Sequence, residues 1–477
     1  MSETQILSGK WKVGKEDITY DGNLIFNEED RYITLEILIP EASDNTAVRF
    51  PYSGTLSFIS GTLLTGATVL LYDGEIGPTN YRVMQYTQIL IYVKYAFWGL
   101  SEKNLDDFAF RGASVDFGDI LNWYDICKYE KTRSDEETIG YVWKNDDIID
   151  VKVCDTLSLK FNPTTSGYWG KIYKQEIKLN QTVWIQFEYK TNVSWESVLQ
   201  DVQKIQYLIG LGTKQRIEIS ELKYIHHSMY TILSEESGNR IWNEGDVLLG
   251  TGKVERTHYA EPRDFAFNLK DFLKVKKGIT NWFLHYDKMK PVLDLFFSIY
   301  GPVYSVETAF LNLSQALETY HARFKANTIG EYKKRVKNLV TNSAGSENKN
   351  YWSWFLLDDG QQKSKQIKLR SRLADLYYAD GQLPLMRECD LPSDIVQKIC
   401  DSRNYYTHYE EKKRSLAYTR EELPIVNGYL ICLLRYHIMC LIGFDPDDAK
   451  NAIKDRVDWL YNYLKKNNLH LYNYPEN

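Results

Sequence analysis

Hydrophobic and polar positions alternate every second residue along much of the first part of the chain. Ile33, Leu35, Ile37 and Ile39 alternate with Thr34, Glu36 and Leu38, the period of a half-buried strand. Val183, Ile185, Phe187 and Tyr189 repeat it with Gln186 and Glu188 on the other face, as do Leu157, Leu159 and Phe161. The stretches 63–72 and 89–97, rich in β-branched and aromatic residues, predict two more strands. Asp21-Gly22, Asp73-Gly74 and Gly77-Pro78 read as turns between strands. This spacing predicts an antiparallel sheet, built as a sandwich or a partial barrel. Residues 195–211 read as a helix within it, and the charged stretch 130–147 as an exposed excursion.

From about residue 291 the period becomes helical. Val306, Phe310, Leu313, Leu317, Tyr320, His321 and Phe324 fall on one stripe over five turns. A basic helical run, 332–339, precedes a polar loop, 342–350. Residues 367–378 predict another helix, closed by Asp380-Gly381, and Pro392-Ser393-Asp394 opens the next with capping chemistry. A long apolar helix over 422–444 ends at Gly443, and Pro446-Asp447-Asp448 begins a last one reaching about Lys466. The fold class is therefore α+β: a β-rich domain over 1–290, then an all-α helical bundle over 291–477.

Composition narrows the function classes. The 477 residues carry a formal net charge of -6, against a protein that coats nucleic acid, while leaving room for one small basic site. None of the six cysteines forms a C-x-x-C pair, and their usage suits a reducing compartment. The first fifteen residues lack the apolar core of a signal peptide, and 424–444 contains Asn427, Arg435 and His437, as a buried helix would rather than a membrane span. A cytoplasmic protein without a membrane partner is the expectation. No phosphate-binding glycine signature occurs.

Chemistry concentrates in 395–408. Val396, Ile399 and Cys400 mark the inward side of a helix, and continuing that side at helical spacing gives Arg403, Asn404 and Thr407, with His408 at its edge. Burying such groups costs several kcal/mol unless each is partnered, so an inward polar break marks a functional site. Asn404 and His408 are one turn apart. Arg403 lies about 140° round the helix from His408 and joins them through its length. An imidazole moves protons near neutral pH, and a guanidinium grips a phosphate and stabilises the added charge of a pentavalent transition state. The set suits cleavage of RNA, whose own 2′-hydroxyl supplies the nucleophile. One histidine is too few for separate acid and base roles, whereas two motifs facing each other across a dimer supply both.

Arg403-Asn404-x-x-x-His408 matches the R-x4-6-H motif of HEPN ribonucleases, with the polar residue that often follows the arginine. More narrowly, residues 300–465 resemble the HEPN domain of ApeA-type anti-phage abortive-infection proteins, in particular the first helix, 310–323. The opening Leu7-Ser-Gly-Lys-Trp11 and the β-rich region after it are similar to the N-terminal domain of the same proteins. The resemblance implies a homodimeric endoribonuclease that needs no metal or cofactor and cuts tRNA or other RNA on infection. It implies that Arg403 and His408 are catalytic, that Asn404 assists, and that the N-terminal domain senses a phage-derived trigger.

Blander readings stand beside these. Arg403 and His408 can cap a helix structurally. Lys412, Lys413 and Arg414 read as a solvated face or as RNA-backbone contacts beside the motif. His321 and His437 lie on core stripes and read as satisfied core histidines. His226 and His227, adjacent in a strand, point to opposite faces, against a metal pair. Nine of the 12 tryptophans precede residue 300, which keeps open an alternative: a non-catalytic HEPN scaffold with an aromatic ligand-binding β-domain.

Overall fold

Alternation in the first forty residues builds the first three strands of an antiparallel meander. The structure, a computed structural model, describes residues 4–13, 18–40, 53–77, 81–83, 86–105, 107–118, 121–125, 129–133, 139–143, 148–168, 178–232, 240–252, 265–301, 305–342, 349–378 and 392–466. The described chain forms two compact units, Met1–Gln206 with Ile217–His258, and Tyr207–Arg216 with Tyr259–Asn477.

In the first unit, strands β1 (Gln5–Val13), β2 (Thr19–Asn27), β3 (Tyr32–Pro40), β4 (Thr55–Leu63), β5 (Thr68–Ile76) and β7 (Tyr86–Trp98) follow the order β7-β3-β2-β1-β4-β5. Pairing of β5 with β7, from Val69↔Trp98 to Ile76↔Ile91, closes these six strands into an antiparallel barrel. Short β6 (Tyr81–Val83) adds to β7. Ile33, Leu35, Ile37 and Ile39 all point inward, as their alternation predicts, and pack with Trp11, Leu24, Ile59 and Ile91. Each such burial is worth about 1.5–3 kcal/mol.

The turn readings change in the structure. Asp21-Gly22 lies inside β2, where Gly22 lets the Trp11 indole N–H donate to its carbonyl at 3.1 Å. Asp73-Gly74 lies inside β5, with Asp73 at φ 57. Residues 63–72 are not one strand: a turn closed by Leu63 N–H on the Ala67 carbonyl, with Gly66 at φ 88, divides them. Pro78 lies outside the described residues.

The sheet continues beyond the barrel through β8 (Ala109–Asp116), β11 (Ile149–Lys152), β12 (Leu157–Tyr168), β13 (Lys178–Ser194), β14 (Glu221–His226) and β17 (Gly245–Leu249), in the order β11-β12-β13-β8-β14-β17-β7. Within 130–147, β9 (Tyr129–Arg133) and β10 (Ile139–Trp143) pair as a hairpin, and the exposure of that stretch lies outside the described residues. Strands β15 (Tyr230–Ile232) and β16 (Arg240–Trp242) pair antiparallel as a separate two-stranded sheet. Helix α1 is the single turn Leu121–Tyr124. Helix α2 (Trp195–Thr213) buries Trp195 against Phe97 and Phe110, with ring centroids 4.8 and 5.0 Å apart.

The second unit is a helical bundle: α3 (Leu269–Lys274), α4 (Gly278–Ser298), α5 (Val306–Phe324), α6 (Ile329–Asn342), α7 (Lys349–Leu356), α8 (Asp359–Gln362), α9 (Leu369–Tyr378), α10 (Pro392–His408), α11 (Leu423–Ile442) and α12 (Pro446–Lys466). Helical structure thus starts before residue 291, in α3 and α4. Helix α5, capped by Ser305 on the Thr308 N–H, packs on α4, α9, α10 and α11. Its predicted stripe is the buried one: Phe310, Leu313, Leu317, Tyr320 and His321. Helix α11 is long and apolar enough to cross a membrane, but 83% of its apolar window is buried inside the structure. Its polar residues have protein partners there: the Asn427 amide donates to the Val306 carbonyl, and His437 Nε2 lies 2.8 Å from the Leu376 carbonyl. The capping groups of Pro392-Ser393-Asp394, and Asp380-Gly381, lie outside the described residues.

Candidate active site

Helix α10 carries the site, and its inward face differs from the one its apolar start predicts. Ile395, Val396 and Ile399 are buried, but Ser402 and Tyr406 take the next inward positions, at i+7 and i+11 from Ile395. Arg403 and Asn404 are half-buried, and Thr407 and His408 are exposed. The buried stripe therefore continues through Ser402 and Tyr406, and the desolvation cost argued for it does not apply to Arg403, Asn404 and His408. The side chains of all three face at least partly outward. Among the described residues none of them makes a hydrogen bond or ion pair, and no hydrogen bond joins Asn404 to His408. A polar triad held on a packed helix with its donors and acceptors uncommitted is available to a ligand.

What fixes the end of α10 is a set of residues that the apolar pattern does not mark. Ser402, fully buried, donates to the Lys398 carbonyl at 2.7 Å and accepts from the Tyr418 N–H at 2.8 Å. The Tyr406 hydroxyl donates to the Tyr418 carbonyl at 2.7 Å. Both backbone groups of Tyr418 are thus tied to the last two turns of α10. Lys398 adds an ion pair to Glu422 at 3.2 Å, 11% and 12% exposed, and lies over the Tyr418 ring. Burial, followed by nearby Glu307, pushes the Tyr406 phenol up to about 12, so it serves as a neutral donor. After His408 the chain reverses through Tyr409 at φ 50 into a 3-10 helix, Glu411–Leu416. The one signal in the sequence was spacing: Ile395, Ile399, Ser402 and Tyr406 fall on a regular helical stripe if Ser and Tyr are allowed as core.

Lys412, Lys413 and Arg414 sit on that 3-10 helix. Lys413 pairs with Glu410 at 2.9 Å and Arg414 with Glu411 at 3.2 Å, so two of the three cations already face a carboxylate. Cys400 is buried, and burial with nearby Asp401 pushes its thiol up to about 12 while Arg370 and Arg403 pull it down. That makes it an inert core residue whose surroundings include two guanidiniums.

His321 lies in a buried polar network in the core of the bundle. It is fully buried, with Nε2 2.8 Å from Asp375 Oδ2 and Nδ1 3.1 Å from an Arg372 nitrogen. Arg372 can only donate, so His321 Nδ1 accepts and Nε2–H donates to the carboxylate. Arg335 Nε donates to the same Oδ2 at 2.7 Å. Burial lowers the proton affinity of His321, which stays neutral. For Asp375 burial raises the carboxyl, but the hydrogen bonds from His321 and Arg335 outweigh it and hold it at about 2.

In the first unit the two adjacent histidines lie side by side rather than on opposite faces, because His227 lies past the end of β14. Their rings are 4.3 Å apart, and Asp107 engages both, His226 through its carbonyl at 3.0 Å and His227 through its carboxylate at 2.6 Å. No group of three or more metal-ligating side chains is found among the described residues. A cavity of about 360 Å³ opens beside the barrel, lined among others by Phe26, Arg31, Tyr32, Trp98, Lys223 and Asp246.

Comparison with protein families finds two matches that between them span most of the chain. Residues 7–282 match the ApeA N-terminal domain 1, and residues 311–448 match the Apea-like HEPN domain. No curated protein and no solved structure matches the chain. The second match contains α10 and the whole of Arg403 to His408.

Proposed function

The chain belongs to the ApeA family, as a defence-related HEPN protein, and from that premise we infer that it is a metal-independent endoribonuclease acting at Arg403, Asn404 and His408. The observation that carries this reading is the outward, uncommitted Arg403-Asn404-His408 set at the rigidly tied end of α10. In the reaction, the RNA 2′-oxygen attacks the adjacent phosphorus and the bond from phosphorus to the 5′-oxygen breaks. The proton leaving the 2′-hydroxyl goes to a base, and the departing 5′-oxygen receives one from an acid. The products are a 2′,3′-cyclic phosphate and a 5′-hydroxyl, and no water or metal enters the balance. His408 supplies proton transfer, Arg403 binds the non-bridging oxygens as charge builds, and Asn404 orients the phosphate. With one histidine per chain, acid and base come from two copies, so the working site is shared in a homodimer joined through the helical unit. The substrate is RNA, tRNA first among candidates, and the N-terminal domain restrains the nuclease until a phage-derived trigger binds.

The test is cleavage of tRNA and total RNA by wild-type, Arg403→Ala and His408→Ala chains, with the new ends sequenced. A second reading, a non-catalytic scaffold with a ligand-binding β-domain, is favoured by the cavity beside the barrel. It predicts that both substitutions leave phage protection intact while changes at Trp98 or Tyr32 abolish it.

A further inference from the structure

Cationic residues are segregated along this chain. Residues 325–372 hold eleven Lys and Arg against four Asp and Glu, a local charge of +7 in a chain of net -6, which leaves -13 for the rest. The segment is the α6–α9 side of the helical bundle. Two of its acids are engaged locally. Glu331 accepts from the Asn327 and Thr328 N–H groups at 2.9 and 3.0 Å, and Asp358 caps α8 and pairs with Arg370 at 3.1 Å. Lys334, Lys337, Lys363, Lys365 and Lys368 are exposed and form no ion pair among the described residues. The two groups adjoin, because Lys333 on α6 donates to the Gln362 carbonyl at 3.1 Å, one residue before Lys363. Beside them Trp354, 49% exposed, lies under the Arg370 guanidinium, 5.3 Å from ring centroid to Cζ.

Helix α9 links this patch to the helix that carries the motif. Helix α9 packs against both α7 and α10, and Arg370 at its start shares with Arg403 an electrostatic hold on Cys400, one turn before Asn404. The 412–414 run, by contrast, spends two of its three charges on neighbouring glutamates.

We propose that the exposed lysines of α6 and the 363–368 segment, with Trp354, form the surface on which the RNA backbone lies as it leads to Arg403 and His408. The surface rests on the nuclease reading for its substrate. Unpaired lysines take phosphates, and an exposed indole beside a guanidinium offers a stacking platform for an unpaired base.

The test uses the full chain and a fluorescent 2′-O-methyl RNA of about 20 nucleotides, which cannot be cut by 2′-hydroxyl attack. Binding is followed by anisotropy between about 50 and 200 mM salt for the wild type and for Lys334→Gln/Lys337→Gln/Lys365→Gln/Lys368→Gln. Loss of four phosphate contacts lowers the slope of log affinity against log salt by about 3, with an unchanged melting profile as the control for folding. An affinity and slope within twofold of wild type overturn the proposal. So does displacement of the RNA by polyglutamate at equal charge, which marks the patch as a site for acidic proteins. The two ideas separate cleanly: His408→Ala is expected to bind this RNA as the wild type does. If His408→Ala still cuts unmodified RNA, the nuclease assignment fails while the slope comparison stands. If the quadruple variant binds normally and His408→Ala does not cut, the surface is wrong and the assignment survives.

Discussion

Replacing Asp375 by asparagine removes one charge from the centre of the bundle while keeping the shape of the side chain. Asp375 is fully buried, and Oδ2 receives His321 Nε2 and Arg335 Nε at 2.8 and 2.7 Å. A carboxyl held at about 2 in the folded chain and at 3.8 when free contributes about 2 kcal/mol at neutral pH. Its folded-state value is depressed, so this stability is present above 3.8 and disappears as pH falls through about 2, with roughly half left at pH 3. His321 adds to the acid sensitivity with the same sign. Its buried ring resists protonation, so stability present above its ordinary 6.5 is lost as pH falls and the unfolded chain takes the proton. Urea unfolding of Asp375→Asn should therefore show a deficit of about 2 kcal/mol at pH 7, equivalent to roughly 4–8 °C in melting temperature for a unit of this size. The deficit should be about halved at pH 3. Asp375→Ala, which also leaves a void beside two arginines, should cost about 3–5 kcal/mol. A wild-type midpoint for Asp375→Asn at pH 7, or a deficit constant down to pH 3, would refute the carboxylate's role as hub of the network.

Three further substitutions probe the frame around the sites. Ser402→Ala leaves the buried Tyr418 N–H without its acceptor and should cost about 1–3 kcal/mol in urea unfolding, whereas Thr407→Ala, on the exposed face of the same turn, should fall within about 0.5 kcal/mol of wild type. Gly61→Ala would drive a methyl into the Trp11 ring inside the barrel, so a loss of about 1–3 kcal/mol is expected, and wild-type thermal stability would contradict the close packing described there.

The barrel strands and the stripe of α5 were legible because each carries its own period: Ile33 to Ile39 alternate, and Phe310 to His321 repeat every three or four residues. Closure of the barrel was not, since it depends on β5 meeting β7 across distant sequence, and no local pattern encodes that pairing. Helix α4 was not legible because it begins at Gly278 after Lys277, which offers no side-chain cap, and because it contains Pro291 in its body. Gly22 and Gly74 imitated turns, yet glycine serves equally inside a strand where a neighbouring backbone or ring comes close. At the site, the string Arg403 to His408 was legible as chemistry, but the direction it faces was not. Val396, Ile399 and Cys400 suggested an inward continuation, while Ser402 and Tyr406, each satisfied by the backbone of Tyr418, occupy it instead.

The central claim is that His408 and Arg403 cut RNA through its own 2′-hydroxyl. Sequencing of RNA ends from cells expressing the wild-type chain under phage challenge, beside cells expressing His408→Ala, tests it most directly. New 2′,3′-cyclic phosphate and 5′-hydroxyl ends in the wild type alone are the predicted result. The same ends in both, or intact RNA in a protected wild-type culture, would contradict it.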